Sequence, residues 1–175
     1  GLDVAAGDHA AAKEKFEQSL EIDEALAADS GTSGWQIELS NSMLRVATIH
    51  VKLGNYNLAQ DLCDEAWKLV GDGKDDDRQI DYLKTRSMYL HCRCDAKVGL
   101  GELDVARELR HQELGVDSEI LSTLRSEGAV SARSEWLGNV LDGLRESIEH
   151  ATQCGHHDLA EEWQSLLVEF EATNS

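Results

Sequence analysis

The side chains best equipped for chemistry fall in two short runs. His91-Cys92-Arg93-Cys94 offers an imidazole and two thiols, and Cys154-Gly155-His156-His157 offers a thiol and two imidazoles. Both sets contain zinc-ligand types. The first run lies inside a helical pattern, where residues two apart point to nearly opposite sides. Cys92 and Cys94 therefore cannot close on one ion, and Cys94 reads as a core residue. The second run sits at a turn with no second cluster at matching spacing, so it reads as a helix cap with two exposed histidines, and no metal is expected. There is no Gly-x-Ser-x-Gly, no phosphate loop and no His-Glu-x-x-His. The acidic runs Asp75-Asp76-Asp77 and Glu161-Glu162 read as solvated faces. The expectation is a protein that is not an enzyme and carries no cofactor.

The charge balance narrows the partners. Sixteen Lys and Arg stand against 34 Asp and Glu, a formal charge of −18. A field of that sign repels phosphate backbones and anionic bilayers, which argues against nucleic acid and membrane surfaces as partners. It favours a protein or peptide with a basic segment. No apolar run approaches the roughly 18 residues of a membrane span. With 41% hydrophobic residues the chain has enough apolar matter to build a core. Cys63, Cys92 and Cys94 fall within helical patterns, not in the loops of a disulfide scaffold. That reads as reduced thiols and a cytoplasmic location.

Positioning falls to helices. There is no proline, which favours long helices joined by Gly and Asp. Four segments share a pattern of Gly followed by Ala five residues later: Gly7 with Ala12, Gly54 with Ala59, Gly101 with Ala106, and Gly155 with Ala160, at spacings of 47, 47 and 54. The Gly suits a left-handed residue just past a helix end. Asp8, Asn55 and Glu102 then place acid or amide groups at the start of the next helix. The small Ala lets two antiparallel helices approach. Apolar stripes lead into each Gly: Met43, Val46, Ala47, His50 and Leu53; Ile80, Leu83, Ser87, Leu90, Cys94 and Val98; Trp136, Val140, Leu141, Leu144, Ile148 and Ala151. Turn formers at 29–34 and 71–77 separate the units. A third break is expected between Gly115 and Gly128, with 118–126 as a short extra helix. One domain over 1–175 follows, in units of approximately 1–28, 35–70, 78–114 and 129–172.

These units resemble tetratricopeptide (TPR) repeats. Met43, Val46, Ala47 and His50, followed by Ala59, Cys63 and Ala66, match the pattern best; the first unit adds Ala12, Phe16 and Ser19. Departures stand beside the matches. The period is 47 or more against the usual 34 or so. Arg93, Lys97, Arg110 and Glu113 occupy positions where apolar or small residues are expected, and the aromatic of the last unit shifts to Trp163. The resemblance implies an all-α solenoid of antiparallel helix pairs, a TPR-like superhelix with a concave face lined by the first helix of each unit. It implies a protein-interaction module or scaffold cut from a larger protein, or alternatively a peptide-sensing regulatory domain of a signalling protein. Open ends of such a stack would also allow self-association.

On that reading the groove positions are Asn41, Leu44, Arg45 and Thr48, then Met88, His91, Cys92 and Asp95. Only Asn41 and Arg45 suit an anion, so a clamp for a C-terminal carboxylate is not expected. The partner-binding candidates are Trp35, which begins a helix after a turn-rich segment, with Glu38, Asn41, Arg45, Asp81 and Asp95. Trp67 and Trp163 are expected to pack.

Overall fold

The computed structural model describes residues 11, 13–15, 17–22, 25, 34–70 and 79–175. Every regular element among them is α-helical. Six helices are delimited: α1 (Trp35–Lys52), α2 (Tyr56–Val70), α3 (Gln79–Gly99), α4 (Leu103–Ser126), α5 (Val130–Gln153) and α6 (His157–Asn174). The described residues before them, 11, 13–15, 17–22 and 25, are helical as well. None of the helices is long and apolar enough to cross a membrane.

The glycine joints form as the spacing requires. After α1, Gly54 takes φ +79°, its N–H donates to the Val51 carbonyl at 3.0 Å, and the Asn55 N–H donates to the His50 carbonyl at 2.8 Å. That pair of bonds satisfies carbonyls the helix end leaves open. Gly101 and Gly155 repeat it. So does Gly128, between α4 and α5, where Ala129 N–H donates to Leu124 O. The Gly-to-Ala pattern passes over this fourth joint because Arg133, not Ala, stands five residues on.

Two expectations need correction. Among the described residues, Asn55 and Glu102 turn their side chains away from the helix they were expected to start. Glu102 makes no cap bond and pairs with Lys97, and Asn55 Nδ2 donates to Nδ1 of His50 at 3.2 Å. Both side chains reach back to the helix that precedes the turn. Nor is there a break at Gly115 or a separate helix at 118–126, since α4 runs unbroken from Leu103 to Ser126. A mid-helix glycine costs about 1 kcal/mol. Burial of Val116, Ile120, Leu121 and Leu124 contributes several times that, at roughly 1.5–3 kcal/mol per large apolar side chain.

Packing follows a simple order. Helix α1 packs against α2 and α3, α2 also against α3, α3 against α4 and α5, and α5 against α4 and α6, with α4 also touching α6. The signature alanines sit inside: Ala59 and Ala106 have no exposed surface, and Ala160 is buried. Near them helices meet closely enough for side chains to bond the neighbouring backbone. Cys94 Sγ donates to Ala106 O at 3.2 Å, and Ser40 Oγ to Ala66 O at 2.8 Å. Trp163 is buried, and Trp67 stacks on Tyr89 with centroids 4.8 Å apart. Among the helical residues before α1, Leu20 packs on the core and Glu17 lies 3.7 Å from Nε2 of His50. Gly7, Ala12 and Phe16 lie outside the described residues, and with them the first unit's signature.

Candidate functional site

Helices α1, α3 and α5 enclose a cleft of about 480 Å³. Helix α1 contributes Thr48, Val51 and Lys52, and α3 contributes His91, Cys92 and Asp95. Helix α5 contributes Glu146, Glu149, His150 and Gln153, Cys154 follows at its C-terminal cap, and Tyr56 enters from the start of α2. The walls are set by two glycines. At Gly99, a Cβ would come within 2.2 Å of the Tyr56 ring; only glycine lets that ring lie across the end of α3. From there the Tyr56 ring reaches His150, with centroids 5.9 Å apart. At Gly143, a Cβ would stand 3.2 Å from Cε1 of His91, so the missing side chain makes room for the imidazole.

Beneath the cleft runs a buried ionic seam. His91 Nδ1 lies 2.9 Å from Glu113 Oε1 of α4, and its Nε2 lies 3.4 Å from Asp95 Oδ2. Arg110 of α4, 1% exposed, donates to Asp95 Oδ1 at 3.2 Å and to Ser147 Oγ of α5 at 2.7 Å. Its guanidinium also pairs with Glu113 and sits 4.6 Å over the Trp163 ring of α6. Ser147 Oγ passes the chain on to Asp95 Oδ2 at 3.1 Å. Two cations and two carboxylates thus meet between α3 and α4, with Ser147 of α5 and Trp163 of α6 around them, the pairing that buried charges require.

The titrations follow from the pairing. Burial alone would lower the His91 pKa, but Glu113 and Asp95 outweigh burial and Arg110 together and raise it to about 9. Burial would likewise raise Glu113, yet Arg110 and His91 hold it below the ordinary carboxylate range. Asp117, one turn further along α4, accepts from Ser87 Oγ at 2.6 Å and leaves Oδ2 buried without a hydrogen bond. Burial, then the neighbouring Glu113 charge, push its pKa up to about 7. Burial raises the Cys94 thiol as well. The contact with the Cys92 thiol, then burial, do the same to Cys63. All four cysteines are free.

The one thiol at the cleft wall that is not buried is Cys154. Its Sγ lies 3.8 and 3.9 Å from the two ring nitrogens of His150 and 3.9 Å from the Tyr56 hydroxyl. Near-equal distances to both nitrogens put the sulfur off the Nδ1 lone-pair axis, where Nε2 would be clearly farther. His150 Nε2 donates to the Asp95 carbonyl at 2.9 Å, which fixes the ring. This is a thiol resting beside an imidazole, not an aligned nucleophile and base. Among the described residues no group of three or more His, Cys, Asp or Glu side chains is placed to share a metal ion.

The residues singled out from the sequence disperse. Asp95 alone of the six partner candidates lines the cleft. Asn41 is spent on structure, its Oδ1 accepting from Thr85 Oγ1 of α3 at 2.8 Å. Trp35 packs half-buried against the core, Asp81 is half-buried, and Glu38 and Arg45 are exposed on α1. Of the wider groove positions, Thr48, His91 and Cys92 join Asp95 in the cleft. Sequence reading passed over Arg110, Glu113 and Ser147 as parts of a site. Their signal was present: Ala106, Arg110 and Glu113 fall at i, i+4 and i+7, on one helical face. Of the four charges that departed from the expected pattern, Arg110 and Glu113 build the seam, while Arg93 bonds Tyr89 and Lys97 pairs with Glu102. Searches for similar proteins returned no matching family model, no matching curated protein and no matching solved structure.

Proposed function

We propose that this chain is a TPR-like interaction module, non-enzymatic, whose first helices α1, α3 and α5 form the concave face of a short solenoid that binds a peptide or protein segment. The carrying observation is the cleft, lined chiefly by those three helices. The neighbour order supports the same reading: α1, α3 and α5 touch in sequence, and each has the helix that follows it along its side, as a stack of hairpins requires. At a formal charge of −18 the long-range field speeds encounter with cationic partners, so the bound segment is basic. Four free thiols suit a reducing compartment, the cytoplasm in this reading.

A regulatory version, a peptide sensor within a larger protein, has one observation behind it. His91 both lines the cleft and bonds to the seam that joins α3 to α4. An occupant touching His91 would therefore bear on helix packing.

The test is a selection of random peptides displayed against the whole chain, followed by amide-exchange mapping of those recovered. The expected winners are rich in Lys and Arg and protect α1, α3 and α5. Acidic or neutral winners, or protection confined to α2, α4 and α6, would overturn the proposal.

A further inference from the structure

The cleft carries a more specific inference, which rests on the peptide-binding reading above. We propose that it is a socket for a single arginine side chain of the partner, whose guanidinium is held by Glu146 and Glu149 of α5 in place of the chain's own Lys52.

Four observations converge on a cation. Lys52 of α1 reaches across the mouth of the cleft towards Glu146, with Nζ 4.0 Å from Oε2. An ammonium is thus already drawn to this spot, yet the separation exceeds hydrogen-bond length and leaves the Glu146 oxygens able to accept. Both side chains are largely exposed, at 45% and 66%, so the pair contributes little and is readily exchanged. Glu149 stands one turn along the same wall, and its hydrogen bond runs from Gln153 Nε2 to Oε1 at 3.3 Å, which leaves Oε2 open. The cleft's other cation does not oppose an arriving one, because Glu113 and Asp95 neutralise His91 from behind.

Shape selects arginine over lysine. A space of about 480 Å³ is far more than an ammonium group needs. Tyr56, held over Gly99, supplies an aromatic wall. A planar guanidinium can stack on such a ring while its forked donors reach two carboxylates, which a point-like ammonium cannot do as well. An anionic occupant is disfavoured by Glu146 and Glu149 at the lining.

The experiment titrates the whole chain with N-acetyl-arginine methylamide at low salt, followed by backbone and tyrosine NMR shifts, with the lysine and glutamate analogues alongside. The expected result is saturable shifts at α5 and Tyr56 with the arginine probe, weaker ones with lysine and none with glutamate. Glu146→Gln with Glu149→Gln should weaken binding about tenfold, as expected for losing two charge-assisted contacts at a partly exposed site. The charge-matched surface pair Glu161→Gln with Glu171→Gln should change it less than about twofold. Lys52→Gln should tighten binding roughly threefold by removing the competitor, while Arg125→Gln, an equal charge change on α4, should not. Equal binding of the lysine probe overturns the choice of arginine. Binding indifferent to Glu146 and Glu149 overturns the socket, and the peptide-binding reading survives if the selected peptides still protect α1, α3 and α5. If neither the probe nor any selected peptide binds, both fall.

Discussion

The seam between α1, α2 and α3 and the seam between α3, α4, α5 and α6 solve one packing problem with opposite chemistry. In the first, Ala47, Ala59, Cys63, Ala66 and Cys92 fill the contact, all but free of exposed surface. Thiols and methyls need no partners, so helices close on them by shape, with neutral hydrogen bonds such as Ser40 Oγ to Ala66 O and Thr85 Oγ1 to Asn41 Oδ1 beside them. In the second, Arg110, Glu113, Asp95 and Ser147 occupy buried positions and must satisfy one another. Ala59, Cys63 and Ala66 on α2 have the same spacing as Ala106, Arg110 and Glu113 on α4. The same i, i+4, i+7 face thus packs with small apolar residues on one helix and with charges on another, provided the charges come as a set. The apolar seam tolerates small changes of volume and little else. The ionic seam tolerates no change of charge in one member alone.

Removing one member of the ionic set should have the largest effect. Arg110→Met leaves Asp95 and Glu113 buried with only His91 opposite, and should cost about 3–5 kcal/mol by urea unfolding at neutral pH. Adding Glu113→Leu to that variant should recover a good part of the loss, because apolar pairs of similar volume often replace buried ion pairs without penalty. A single variant as stable as the parent would erase the distinction between the seams.

The apolar seam is probed by volume. Ala59→Leu should cost on the order of 1–3 kcal/mol through overpacking, while the exposed Ser175→Ala stays within roughly 0.5 kcal/mol. If both melt at the parent temperature, Ala59 is not at a helix contact.

Acid–base behaviour weighs most on the contact of α3 with α4, where His91, Glu113 and Asp117 lie; on α1 burial lowers the pKa of His50. The His91 pKa, raised from 6.5 to about 9, contributes stability that is full below pH 6.5 and lost as pH rises through 9. Asp117, raised from 3.8 to about 7, favours the fold when protonated, so stability falls between those two values as pH rises. Glu113, held below 4.5, works the other way and loses its contribution as pH falls below that value. From these three groups stability should peak at about pH 4–5 and decline from there to pH 9. Asp117→Asn should then stabilise by roughly 1–2 kcal/mol at pH 8 and by almost nothing at pH 4, where the parent carboxyl is already protonated. The asparagine amide can donate to Ser87 Oγ. A flat melting profile from pH 5 to 9 would contradict the titrations.

The smallest effect is expected at the cleft mouth. Lys52→Gln removes an exposed pair belonging to neither seam and should shift stability by less than about 0.5 kcal/mol in the same urea experiment. A larger loss would mean that Lys52 holds α1 to α5 and is not free to be exchanged.

From the sequence alone the helical class follows, together with the glycine joints at Gly54, Gly101 and Gly155 and the burial of Ala59, Ala106, Cys94 and Trp163. These depend on local rules: a left-handed residue after a helix needs glycine, and a 3.6-residue stripe buries one face whatever lies opposite. The continuity of α4 through Gly115 was not legible, since glycine's local cost is outweighed only by tertiary burial. The joint at Gly128 was read only as the far end of a broader break from Gly115, because Arg133 stands where the other joints carry alanine; its guanidinium instead donates to the Asn174 carbonyl at 2.8 Å. The seam and the cleft were decided by the tertiary structure. Periodicity shows that Arg110 and Glu113 share a face, but not that His91, Asp95 and Ser147, on two other helices, would meet that face with complementary charge. Periodicity is a property of one helix, whereas charge pairing depends on which helices touch, and at what height along their axes.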